Sequence, residues 1–155
     1  MRVRPTRMAA SGACLLAVAA GVMDAQTSVE YIGGTAPQLV AGMQGSMALA
    51  DDRYLAFYAG KIQMRVPYDH INLVEYGQQV DRRLALALVL SPVFLLSRSR
   101  KHFLTIGFSG EDGKQQAMVF RVDKNSIRPT LAGLEARTGL KVQYQDEQAR
   151  KARNQ

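Results

Sequence analysis

Two histidines, a few carboxylates and one doubled cluster of cations are the side chains of this 155-residue chain that could carry chemistry. His70 follows Asp69, and His102 stands apart. Neither sits in an HxxxH or HExxH spacing, so a metal centre lacks its ligands, and a lone His beside an Asp reads as a hydrogen-bonding corner residue. Asp51-Asp52 could suggest paired acid/base carboxylates or calcium. Adjacent residues project in different directions and Asp is a favoured turn former, so the turn reading is preferred. Ser109-Gly110-Glu111-Asp112-Gly113 offers two carboxylates but not the ligand ladder of an EF-hand. The chain has no GxSxG, no phosphate-cradling glycine loop and no CxxC, and Glu75 and Tyr76 have no partner visible in the sequence. No catalytic residue, metal or cofactor is expected, and the chain reads as a non-enzyme. A hydrolase with an unrecognised site would need a polar cleft gathering His70, Asp69 and a third titratable group.

The cations are more informative. Arg82 and Arg83 precede Leu84–Leu96 (LALALVLSPVFLL), and Arg98, Arg100 and Lys101 follow it. Eleven of those 13 residues are apolar. At about 1.5–3 kcal/mol per buried large side chain, leaving them all in water would outweigh a small domain's stability. They must be buried in lipid, in a partner or in the protein itself. A chain reversal at Ser91-Pro92 would bring both basic clusters to the base of an apolar tip, which suits an anionic bilayer: lipid takes the tip and headgroups meet the arginines. The expected contact residues are Arg82, Arg83, Leu86, Leu88, Leu90, Phe94, Arg98, Arg100 and Lys101, facing an anionic membrane surface or an envelope protein. The alternative puts the segment in its own core or in the interface of a homo-oligomer. A transmembrane span is disfavoured, because thirteen helical residues rise about 20 Å against a hydrocarbon core of about 30 Å and Pro92 interrupts them.

Composition sets the compartment. A 47% hydrophobic, 21% charged chain is ordinary for a globular domain. Residues 1–25 read as a bacterial-type secretory signal: a basic MRVRPTR start, an apolar Met8–Val22 stretch and small residues near a cleavage point in 20–25. An uncleaved N-terminal anchor remains an alternative. The formal net charge of +7 includes Arg2, Arg4, Arg7 and Asp24, so the processed chain keeps +5. Cys14 is the single cysteine, which excludes a disulfide framework and suits an oxidising compartment. The expected location is periplasmic or extracellular. The basic balance also raises nucleic acid as a partner, but the export signal, the lack of aromatics among the basic residues and the lack of a motif disfavour it.

The elements that must position these residues are short strands. Gln26–Pro37, with Gly33-Gly34 and Pro37, reads as a linker, and the domain is expected over residues 38–144. Strands are expected at Gly45–Ala50, Arg53–Tyr58 and Lys61–Pro67, the last alternating Ile62, Met64 and Val66 against Lys61, Gln63 and Arg65. Pro67–His70 makes a corner. Ile71–Val80 follows with a bulge expected at Gly77. Residues 82–101 are an insertion. A hairpin joins His102–Phe108 to Gln115–Val122, and a helix spans 125–139, capped by Asn125 or Ser126 and stopped by Gly139, with Ile127, Leu131, Leu134, Ala132 and Ala136 on its apolar face. Leu140–Tyr144 can add a strand before a polar tail, 145–155. The fold class is α+β, a bent antiparallel sheet or open barrel with one C-terminal amphipathic helix.

The order of these elements, with the strand–Asp-Asp–strand turn in Gly45–Phe57, the Val66-Pro67-Tyr68-x-x-Ile71 corner and the closing helix ending in Thr138-Gly139, resembles bacterial pleckstrin-homology-like (GRAM-like) domains over roughly Val40–Tyr144. The resemblance implies a binding or membrane-adaptor module. Residues 82–101 depart from it, being long and apolar for a strand connection in that fold.

Overall fold

The computed structural model describes residues 26–78 and 101–145. They form an α+β domain: a mixed eight-stranded sheet and one helix, α1 (Lys124–Thr138). The strands are β1 (Gln26–Gly34), β2 (Met43–Ala48), β3 (Tyr54–Ala59), β4 (Ile62–Pro67), β5 (Ile71–Gly77), β6 (His102–Ser109), β7 (Gln115–Val122) and β8 (Gln143–Tyr144). Their order across the sheet is β4-β3-β2-β1-β7-β6-β5-β8, an open array with β4 and β8 at its edges. Two antiparallel meanders, β1–β4 and β5–β7, are therefore joined by the pairing of β1 with β7.

The first correction to the sequence reading is β1. Gln26–Gly34 is no linker but a strand paired on both sides, with Val29, Tyr31 and Ile32 buried. Glu30 lies opposite Arg121 on β7 and ion-pairs with it. The cross-strand partner lets a central strand carry a carboxylate. The glycines that suggest a break instead make a bulge. The register with β7 shifts between Tyr31 and Gly33, and a Cβ at Gly34, where φ is 153°, would lie 2.2 Å from the Ala117 carbonyl oxygen. The strand needs glycine there. The domain thus begins at or before residue 26, not at 38.

Elsewhere local chemistry sets the elements. In β4, Gln63 and Arg65 are exposed while Ile62, Met64 and Val66 face inward. The corner at Tyr68–His70 is a 3-10 turn. The irregularity in β5 lies between Ile71 and Leu73, not at Gly77, which pairs with Phe103. Asp123, two positions before Asn125, the nearer of the expected caps, accepts a hydrogen bond from the Asn125 amide at 2.8 Å to start α1. Gly139 ends it in the left-handed conformation, φ 71°. Ile127, Thr130, Leu131 and Leu134 are its buried side, whereas Ala132 and Ala136 are exposed. Strand β8 is only two residues long and runs parallel to β5.

The core fills the side of the sheet covered by α1. Leu104, Ile106 and Phe108 of β6, Met118, Phe120 and Val122 of β7, and Ile127, Leu131 and Leu134 of α1 belong to one cluster. Tyr31 meets the Phe120 ring edge-on at 5.8 Å, and Phe57 lies 5.1 Å from it.

Candidate functional site

Of the residues expected to make contact, Lys101 lies within the described structure. Arg82, Arg83, Leu86, Leu88, Leu90, Phe94, Arg98 and Arg100 lie outside the described residues, as do the expected signal at 1–25 and most of the tail. Lys101 is half-buried, just before β6. It borders an open cleft of about 720 Å³ with Ser28, Glu30, His102, Arg121 and Lys124.

Two interactions fix the walls of this cleft. The Arg121 guanidinium is engaged by the Glu30 carboxylate, whose side chain keeps only 8% of its exposure. The His102 Nδ1 lies 2.5 Å from the Tyr76 hydroxyl, and the two rings stack at 5.9 Å with 8° between their planes. Burial first, and then the Lys124 charge, push the His102 pKa below its ordinary value, with Asp123 opposing weakly. His102 is thus favoured in its neutral form and serves the packing of β5 against β6. Lys124, exposed at the first position of α1, and Lys101 are the cations of this cleft that no carboxylate among the described residues pairs with.

Beside it, between α1 and the β5–β8 edge, runs an apolar groove of about 310 Å³. Tyr76, Ile127, Leu131, Ala132 and Tyr144 line it, with Arg128 and Glu135 at its rim. Glu135 is held by accepting the Val142 amide at 3.0 Å. Sequence reading missed the groove because β8 pairs with β5 across a long separation, a contact no local pattern announces.

The polar residues of the corner are used structurally. The Asp51 carboxylate accepts the Arg53 and Tyr54 amides at 2.7 and 3.1 Å, closing the β2–β3 turn. Those amides hold Asp51 below the usual carboxylate range. Arg137, near the end of α1, ion-pairs with Asp52 and donates to the Asp51 and Ala50 carbonyls at 2.9 and 3.2 Å. Its guanidinium also lies over the Tyr68 ring. One bidentate cation therefore ties the helix C-terminus to the turn. A cleft of about 570 Å³ does bring Asp69 and His70 near Asp52, Tyr68 and Arg137. Asp69 and His70 are both exposed, no hydrogen bond joins them to each other or to Asp52, and Asp52 is occupied by Arg137. The corner provides proximity without the coupled base that a nucleophile needs.

Among the described residues no group of three His, Cys, Asp or Glu could hold a metal ion, and no helix is long and apolar enough to cross a membrane. No protein-family model matches the chain, and no curated protein matches it.

Proposed function

We propose that the chain is an exported, non-enzymatic binding module of pleckstrin-homology-like architecture that associates peripherally with an anionic membrane surface through residues 82–101. The order of a four-strand meander, a three-strand meander and a C-terminal helix supports the architectural part. One observation carries the functional part. The described strands and α1 assemble one continuous apolar cluster that includes Leu104, Ile106, Phe120 and Leu134, so the domain has a core built from residues other than Leu84–Leu96. An apolar segment bracketed by arginines is suited to a bilayer interface.

A second reading, in which the segment packs against its own domain or a second copy, is favoured by a different observation. Ile32, Thr105 and Val119 belong to the sheet face opposite the core cluster, yet they are 0, 3 and 0% exposed. Flotation separates the two. The membrane reading predicts that the exported chain rises with phosphatidylcholine–phosphatidylglycerol vesicles at low salt and is partly released as salt screens the headgroups. No flotation at low salt would overturn it in favour of the second.

A further inference from the structure

Strands β1, β7, β6, β5 and β8 share a common end. Val122 pairs with Val29 on one side and with His102 on the other; Phe103 pairs with Gly77, and Tyr76 with Tyr144. The starts of β1 and β6 and the finishes of β5, β7 and β8 therefore lie side by side. Gln26, Gln78, Lys101 and Gln145, the residues where the described structure meets the rest of the chain, all belong to that end. So does Lys124, which opens α1.

Charge follows the same division. The described residues carry ten Lys and Arg against nine Asp and Glu, close to neutrality. Residues 79–100 and 146–155, which continue from this end, carry seven against three. At the opposite end the β6–β7 turn presents exposed Glu111 and Asp112 against Lys114. Most of the net positive charge of the processed chain thus belongs to segments whose connections to the sheet lie at this end.

We propose that this end of the domain, bearing Lys101 and Lys124, is the face apposed to the anionic lipid surface, with the β6–β7 turn directed away from it. The inference rests on the membrane reading above and adds an orientation. Lipid fits better than a shaped protein partner. Lys101 and Lys124 are point charges on flexible stems, and such charges act on a fluid anionic surface additively, with no fixed geometry. Arg121, the cation suited to bidentate recognition, is already held by Glu30.

Charge reversal in the exported chain tests it. An eight-residue strand is about 27 Å long, well beyond a Debye length of about 10 Å, so charges at the two ends act on a bound surface separately. Lys101→Glu with Lys124→Glu is expected to lower partition onto phosphatidylcholine–phosphatidylglycerol vesicles about tenfold at low salt. Lys114→Glu, at the far end of β7 beside exposed Glu111 and Asp112, should change it by less than about twofold. Lys124→Glu alone, at an exposed first-turn position where an acid favours a helix, keeps the fold and should cost about threefold. If the parent floats but the Lys101/Lys124 pair has no effect, or Lys114→Glu weakens binding as much as Lys124→Glu, the orientation is wrong and the membrane reading stands. If the parent does not float, both fall.

Discussion

The two ends of the β1–β7–β6–β5 array are built on different principles. At one end the chain closes on itself. The β6–β7 turn satisfies its own backbone, Gly110 donating to the Lys114 carbonyl at 2.8 Å and Gly113 to the Gly110 carbonyl at 2.9 Å. The Asn72 and Gln115 amides exchange hydrogen bonds of 2.7 and 2.9 Å across the sheet, and Thr35 donates to Ala117 where β1 ends. At the other end four chain crossings, Lys101, Lys124 and the helix start lie together. Turn chemistry finishes one end, while at the other the described structure passes to the rest of the chain at Gln26, Gln78, Lys101 and Gln145. The proposed orientation on a membrane rests on this difference between the two ends.

This contrast can be broken or sharpened by substitution. The largest effect on stability is expected at the open end. Arg121→Ala leaves the Glu30 carboxylate buried without its cation and should cost about 3 kcal/mol in urea denaturation. Adding Glu30→Ala should recover part of that loss. A cost below about 0.5 kcal/mol would mean that the pair does not hold β1 to β7. At the closed end, Gly34→Ala forces a Cβ onto the Ala117 carbonyl in a conformation that side chains rarely adopt. It should destabilise by about 2 kcal/mol and leave vesicle binding unchanged once the chain is folded.

The smallest effect is that of pH. His102 has a folded-state pKa below its ordinary 6.5, so the unfolded chain binds the proton more readily. The stability it contributes is present above pH 6.5 and is lost as pH falls from there through the folded value. His102→Gln should flatten the stability profile in that window. An unchanged slope would mean that another group sets it.

How much of this was legible in the sequence differs by region for physical reasons. The alternation in Ile62–Val66, the Asp51-Asp52 turn, the β6–β7 hairpin and the Gly139 stop are local signals, and the structure follows them. Strand β1 was hidden because its charge is neutralised by Arg121, some ninety residues away in sequence, and because its glycines serve a bulge. The helix cap shifted by two or three residues, from Asn125 or Ser126 to Asp123. The last strand falls within Leu140–Tyr144, where one is expected, but the parallel pairing of β8 with β5, the groove against Tyr76 and Tyr144, and the shared end that assembles Gln26, Gln78, Lys101 and Gln145 are products of long-range pairing. Local patterns contain no trace of them.

The most direct measurement of the central claim is paired flotation and thermal melting of the exported chain beside Leu86→Ser/Leu90→Ser/Phe94→Ser. The account predicts that the variant loses vesicle partition by about a hundredfold, from three side chains at a kcal/mol or more each, while its melting temperature stays within about 3 °C of the parent. A melting temperature lowered by about 10 °C or more, with partition unchanged, would contradict it and place Leu84–Leu96 against the protein's own sheet.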